Sequence, residues 1–175
     1  MKIHKDSTIA EVAAIVSDAL AQAEIIAVLS GGGVVSIYSD NEYESHDLDF
    51  ISPSERKKLA AVMYQLGFSE QDRYFIHPDT KYFIEFPSSP LMIGQEYIPY
   101  QDCAVISVGE GEIRLLTPTQ CVMDRLAAFY HWNDRQSLDQ ALMVAKRHDI
   151  DFKKVKSWSK REGYSQKYTE FLDHL

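Results

Sequence analysis

Three consecutive glycines at the end of an apolar run constrain this chain more than any other feature. The run EIIAVLS (24–30) has the length of a strand, and the triplet Gly31–Gly33 ends it. We predict that VVSIYS (34–39) is a helical segment opening at the glycines. Such a turn presents backbone N–H groups and the positive end of a helix dipole, which suits an anion. By itself, the triplet is also compatible with a tight turn that binds no ligand.

A second apolar run, DLDFIS (47–52), carries Asp47 and Asp49 on one face, because side chains alternate along a strand. A rise of roughly 3.3 Å per residue puts these carboxylates about 7 Å apart, and they repel each other unless a cation lies between them. Magnesium is the natural partner, since it prefers carboxylate oxygens and keeps substrate phosphates in its shell. Glu85 in KYFIEF (81–86) would join the pair if its strand lay beside the first. The alternative to a metal site is that these acids are simply solvated. For Glu85 taken alone, this alternative is favoured.

Helix-start signals occur at Thr8 with Glu11, at Ser52 with Pro53 and Glu55, and at Thr117 with Pro118 and Gln120. The first predicts an amphipathic helix over 8–22, and the second a helix that Gly67 ends. The third predicts a helix followed by another that Asn133 caps, and then by one or two short basic helices over 151–175.

Two hairpins are predicted between these helices, RYFIH with KYFIEF and CAVISV with EIRLL. The resulting order is helix, mixed strands and helices, two hairpins, and then helices only. We therefore predict an α+β fold in which a small mixed sheet is flanked by helices. We expect an α/β core over 1–116 and a C-terminal helical part over 117–175, packed on that core.

Composition and charge limit the function classes. The chain has 175 residues, 45% of them hydrophobic, and shows neither a signal peptide nor a membrane-spanning run, so we expect a cytoplasmic protein without a membrane partner. The net charge is −8. Residues 1–145 hold 10 Lys and Arg against 21 Asp and Glu, whereas 146–175 hold 8 against 5. This argues against duplex binding by the whole surface and leaves one basic face for a polyanion, or merely solvated helices.

The order SGGG, DLDF and FIEF resembles the signature of the nucleotidyltransferase superfamily, which includes DNA polymerase beta. That signature has an apolar residue with two small residues, a gap, Asp-x-Asp/Glu between apolar residues, and a third acid on a later strand. Here the gap, 34–46, has 13 residues and lies at the upper edge of the family's range. The third acid is Glu85, where aspartate is more common.

A second block, RLLTPTQCVMDRLAAFYHWNDRQSLDQAL (114–142), is similar to the C-terminal helices of small bacterial nucleotidyltransferases related to abortive-infection toxins. Arg125 stands where those proteins have lysine. The Arg/Lys-Asp step that usually opens the next helix is blurred at Gln136 and Ser137. The resemblance extends over about 24–150.

The resemblance implies a reaction and two sets of residues. A hydroxyl of RNA, protein or a small molecule would attack the α-phosphate of a nucleoside triphosphate, and the protein would be toxin-like, with a possible antitoxin partner. The residues implied to contact the nucleotide are Gly31, Gly32, Gly33, Ser36 and Arg125. The residues implied to be catalytic and to bind Mg²⁺ or Mn²⁺ are Asp47, Asp49 and Glu85.

Two other functions are compatible with these patterns. One is a catalytically silent module of the same fold that acts as a binding or regulatory partner. The other is an unrelated metal-dependent phosphoesterase, which would use Asp-x-Asp differently and would not need the glycine turn. Retention of all three acids favours the active enzyme over the silent module.

Overall fold

A computed structural model describes residues 1–175, with seven α-helices and nine strands. The helices are α1 (Ile9–Gln22), α2 (Gly31–Tyr38), α3 (Arg56–Gln65), α4 (Pro118–Trp132), α5 (Arg135–Ala145), α6 (Phe152–Arg161) and α7 (Ser165–Asp173). The strands are β1 (Val28–Ser30), β2 (Asp47–Ile51), β3 (Ser69–Gln71), β4 (Tyr74–Ile76), β5 (Phe83–Glu85), β6 (Met92–Ile93), β7 (Glu96–Tyr97), β8 (Ala104–Val108) and β9 (Gly111–Leu115). No helix has both the length and the apolar character that crossing a membrane requires.

Seven strands form one mixed sheet in the order β3-β4-β5-β2-β1-β9-β8. The β1–β9 and β2–β5 pairs are parallel and the other pairs are antiparallel. Strands β6 and β7 form a separate hairpin. The predicted α+β fold with a mixed sheet is therefore confirmed, as are the two predicted hairpins, β4–β5 and β8–β9.

One core cluster of 45 buried apolar residues runs through the whole chain. It joins Leu29 and Leu48 of the central strands to Trp158 and Phe171 of the last two helices. Every strand precedes residue 116 and only helices follow it. The division of the chain near Leu116 stays a prediction.

Two of the three predicted helix starts are confirmed by their hydrogen bonds. Thr8 and Thr117 each close a capping box, with Glu11 and Gln120 respectively. The start predicted at Ser52 is wrong, because α3 begins only at Arg56. The Ser52 hydroxyl accepts from the Ser54 N–H at 3.2 Å and donates to the carbonyl of Ile26 at 2.7 Å, which ties the end of β2 to the segment before β1.

Asn133 does not cap α5 as predicted. It ends α4 in the left-handed region, with φ of 52°, and Asp134 caps α5 by accepting from the N–H groups of Gln136 and Ser137. Asparagine tolerates this conformation better than most residues, which explains its place between the two helices. Sequence reasoning also missed β3, whose three residues are all exposed, and the two-residue strands β6 and β7.

Candidate functional site

Strand β2 presents the two aspartates on its polar face. Asp47 and Asp49 are half-buried, whereas the alternating Leu48 and Phe50 are completely buried in the core. The alternation of a strand thus separates an acidic face from an apolar one. The strand is held in the middle of the sheet, between β1 and β5.

Strand β5 brings the third acid alongside. It lies parallel to β2, with Asp49 opposite Glu85 and Leu48 opposite Ile84. Residues directly opposite each other in neighbouring strands share a face of the sheet. The condition under which Glu85 joins the aspartate pair, adjacency of the two strands, is therefore met.

The electrostatics of Asp49 show that negative charge is concentrated here. Burial, followed by the charges of Glu85 and Asp47, raises the pKa of Asp49 to about 6, and Arg125 opposes this rise. Burial also raises the pKa of Asp47, with Arg73 and His46 acting in the opposite direction. Asp49 therefore lies in an incompletely compensated negative field from Glu85 and Asp47, an environment that attracts a divalent cation.

The chemistry of these residues fits Mg²⁺ or Mn²⁺, both of which prefer carboxylate oxygens. The Asp47 Oδ1 atom is buried and has no hydrogen-bond partner, so one acceptor is left over for a ligand. The side chains as they stand do not form a group of three His, Cys, Asp or Glu close enough together to hold an ion. The residues therefore suit a cation by type and register, and the carboxylates would have to turn towards it.

The glycine turn connects β1 directly to α2. Gly31 has φ of +70°, and a Cβ atom there would lie 2.7 Å from Asp49 Oδ2. The preceding residue, Ser30, makes no side-chain cap for the helix, and its hydroxyl donates to the Asp49 carbonyl at 3.3 Å. The first N–H groups of α2 therefore lack a side-chain cap, beside an aspartate of β2.

The next two glycines allow close packing around this turn. A Cβ atom on Gly33 would lie 2.9 Å from Leu48 Cδ2 and 3.1 Å from the Asp47 carbonyl. A Cβ atom on Gly32 would lie 3.2 Å from Tyr43 Cε1. The glycines thus let α2 approach β2 and the loop before it, which positions the helix start next to the acids.

Ser36 lies on α2, and its side chain is completely buried. Its hydroxyl donates to the Gly32 carbonyl at 3.3 Å and accepts from the Ser45 N–H at 2.8 Å. Ser36 therefore joins the helix to the loop that leads into β2. Its contact with a nucleotide stays a prediction.

A cleft of about 450 Å³ opens beside the turn. Its lining comprises Ser30, Gly31, Asp49, Ile51, residues 87–92, Asp124 and Arg125. Asp47 and Glu85 are not part of this lining, so the cleft reaches one of the three acids. The predicted nucleotide contacts Gly31 and Arg125 meet there although 94 positions separate them in the chain.

Arg125 is held in place from within α4 and from α5. Its guanidinium donates to the Asp124 carboxylate at 2.5 and 3.1 Å and to the Gln140 side chain at 3.3 Å. Sequence reasoning missed Asp124, because its place in the cleft depends on how α4 packs against the sheet. The Arg125 guanidinium is therefore fixed in the cleft that Gly31 also lines, and Asp124 partly balances its charge.

Sequence reasoning also missed Arg73, which lies in the turn between β3 and β4. Its Nε is 3.4 Å from Glu85 Oε1. Arg73 begins the run RYFIH, which is predicted to form a hairpin with KYFIEF, but nothing in that run assigns the arginine a function. Only the pairing of β4 with β5 brings it next to the third acid.

No protein-family model matches the chain, and no curated protein matches it either. Solved structures do. An antigenic nucleotidyltransferase-like protein from Paracoccidioides brasiliensis is similar at a TM-score of 0.55, with 13% identity over 81% of this chain and 77% of that one. The chain has a nucleotidyltransferase fold. The fold implied by SGGG, DLDF and FIEF is thereby confirmed.

Two structures of the antibiotic-resistance factor ANT(2'')-Ia share this nucleotidyltransferase fold. The solution structure is similar at a TM-score of 0.51, with 16% identity over 91% of this chain and 92% of that one. The crystal structure, a complex with adenylyl-2"-tobramycin, is similar at a TM-score of 0.54, with 15% identity over 87% of this chain and 94% of that one. The likeness thus includes most of each ANT(2'')-Ia chain.

The acidic site of this nucleotidyltransferase fold is expected to make stability depend on pH. Asp49 has an ordinary pKa of 3.8 and a folded pKa of about 6, so the folded protein binds its proton more tightly than the unfolded chain. Ionisation above pH 6 therefore disfavours the folded state, and this cost disappears as the pH falls towards 3.8. Asp49→Asn should raise the free energy of unfolding by about 2 kcal/mol at neutral pH and by nearly nothing near the ordinary pKa.

Urea denaturation without divalent cations, at pH values above and below that interval, measures this difference. Asp139→Asn serves as the control, because it removes an exposed carboxylate of α5 outside the site. Equal effects of Asp49→Asn on the free energy of unfolding at both pH values would contradict the assignment.

Proposed function

We propose that this protein transfers a nucleoside monophosphate from a nucleoside triphosphate to a hydroxyl acceptor. Mg²⁺ or Mn²⁺ would be held by Asp47, Asp49 and Glu85. The observation that carries the proposal is the register that sets Asp49 opposite Glu85, with Gly31 packed against the same aspartate. The fold supports it, because the named structural neighbours include a nucleotidyltransferase-like protein.

The proposed reaction makes one bond and breaks one. The acceptor oxygen forms a bond to the α-phosphorus, the bond from that phosphorus to the bridging oxygen of the β-phosphate breaks, and pyrophosphate leaves. Glu85, the third acid of the signature that the chain resembles, would accept the proton of the attacking hydroxyl. A bound divalent cation would stabilise negative charge on the phosphates and on the attacking oxygen.

The glycine turn and α4 would bind the triphosphate. The uncapped N–H groups at the start of α2 point to an anion at Gly31 to Gly33, where the helix dipole adds favourable charge. Arg125 is the cationic residue in the lining of the cleft. Its hydrogen bonds to Asp124 and Gln140 orient the guanidinium. An oriented guanidinium binds a phosphate more strongly than a freely moving charge does.

We propose a small molecule as the acceptor. The ANT(2'')-Ia crystal structure holds adenylyl-2"-tobramycin, a nucleotide joined to a small acceptor, and the likeness includes 94% of that chain. A cleft of about 450 Å³ is in the range of sites that enclose small ligands. Hydroxyls of RNA or protein remain alternative acceptors. A toxin-like role restrained by an antitoxin, and action in the cytoplasm, are further parts of the proposal.

Two observations favour the second candidate, a catalytically silent module of the same fold. The Glu85 carboxylate lies next to Arg73, and no group of three ligands is assembled around an ion position. Such a module would bind a nucleotide at the turn without transferring it.

The test uses the full chain with Mg²⁺ and each of four nucleoside triphosphates labelled at the α-phosphate. Acceptors are offered separately as tobramycin, the small-molecule fraction of a cell extract, total RNA and extract protein. We expect label to move from at least one triphosphate to a small molecule, with release of pyrophosphate. Nucleotide binding without transfer would support the silent module. Failure of all four triphosphates to bind with Mg²⁺ would refute both candidates.

A further inference from the structure

Arg73 reaches the acidic site from the edge of the sheet. It follows Asp72, which has φ of 54°, in the tight turn between β3 and β4. The next residue, Tyr74, lies opposite Glu85 in the β4–β5 pair. The turn between β3 and β4 therefore ends beside Glu85, the third acid.

The contacts of Arg73 hold its guanidinium over this end of β5. Its Nε lies 3.4 Å from Glu85 Oε1, and the guanidinium carbon lies 4.8 Å from the centre of the Tyr74 ring. The Arg73 side chain is 68% exposed, whereas that of Glu85 is 20% exposed. An exposed cation thus meets an acid that is largely enclosed.

Arg73 is the only cationic side chain that forms an ion pair with any of the three acids. Asp47 and Asp49 have no ion-pair partner, and the second nearby guanidinium, that of Arg125, pairs with Asp124 instead. Burial raises the pKa of Asp47, and the positive charge of Arg73 opposes this rise. The positive charge that a divalent cation would bring is therefore partly supplied by this arginine.

We propose that Arg73 is a displaceable counter-ion. It holds Glu85 in the metal-free protein and competes with the divalent cation for the Glu85 carboxylate, and so it sets the metal affinity of the site. This inference rests on the proposed function, because it takes Asp47, Asp49 and Glu85 as the metal-binding acids.

The energetics suit a counter-ion that is released. An ion pair with one largely exposed partner is weak, because water screens the charges and the long side chain loses freedom when it is fixed. A divalent cation offers twice the charge and binds carboxylate oxygens directly. Arg73 can therefore release Glu85 at a small cost in free energy when a divalent cation binds. Until then, its positive charge reduces the repulsion among the three acids.

The test measures Mn²⁺ binding by calorimetry and the melting temperature of the metal-free protein, both without nucleotide. Arg73→Gln removes the counter-ion. The matched control is Arg135→Gln, which removes a second exposed arginine that pairs with a glutamate, Glu170 on the C-terminal helices. We expect Arg73→Gln to bind Mn²⁺ about two- to fivefold more tightly and to melt at a lower temperature without metal. Arg135→Gln should keep the Mn²⁺ affinity of the unaltered chain.

Each other outcome overturns the inference in a recognisable way. A lower melting temperature with unchanged or weaker Mn²⁺ binding would show that Arg73 only stabilises the sheet edge. In that case the metal site, and with it the proposed function, would stand. Absence of Mn²⁺ binding in both the unaltered chain and Arg73→Gln would refute the metal site itself.

Discussion

Asp49→Ala is expected to abolish nucleotidyl transfer without unfolding the protein. Asp49 lies between the other two acids and the glycine turn, opposite Glu85 and within reach of the Gly31 backbone. Its loss would remove the central carboxylate from the metal site, and we expect the rate to fall by about 10³-fold or more. The fold should persist, because burial and the neighbouring acids make the ionised Asp49 destabilising, and it forms no ion pair.

Transfer of label from the preferred triphosphate measures the rate, and circular dichroism with thermal melting measures the fold. Asp139→Ala, at an exposed position of α5, is the matched control and should keep full activity. A folded Asp49→Ala protein that transfers nucleotide at a normal rate would refute the site. If Asp49→Ala does not fold, Asp49→Asn tests the activity instead, because it removes the charge and keeps the size of the side chain.

Gly31→Ala is expected to damage both stability and nucleotide binding. An alanine at φ of +70° is strained, and its Cβ would lie 2.7 Å from Asp49 Oδ2, so the aspartate would have to move. Left-handed strain costs about 1–2 kcal/mol, and the displaced carboxylate adds to it. We expect the affinity for the triphosphate with Mg²⁺ to fall at least about tenfold, because the turn and the metal acid are disturbed together.

Gly163→Ala separates these two effects. Gly163 has φ of +85°, and a Cβ atom there would meet nothing within 4 Å, so this variant carries the backbone strain alone. It should lose stability and keep its affinity for nucleotide. Calorimetric binding and urea denaturation of both variants give the comparison. Equal nucleotide affinity in the two variants would argue against a phosphate site at Gly31.

Local signals predicted much of the fold, because they act over a few residues. The capping boxes at Thr8 and Thr117 depend on bonds between residues three apart, and both are present. The apolar alternation of DLDFI predicted a strand with Leu48 buried, which it has. The start predicted at Ser52 is wrong, because α3 begins only at Arg56. The Ser52 hydroxyl still accepts from the nearby Ser54 N–H, and the bond that it donates to the distant carbonyl of Ile26 is one that a local signal does not predict.

The sequence by itself determined the acids, the glycine turn and their order along the chain. Only the tertiary structure decided which of them meet. Parallel pairing of β2 with β5 brings Glu85 opposite Asp49, although 35 intervening positions separate them in the chain. The packing of α4 brings Arg125 into the cleft, and the β3–β4 turn places Arg73 on Glu85. Strand adjacency and helix docking minimise the exposure of the whole apolar core, so no short stretch of sequence specifies them.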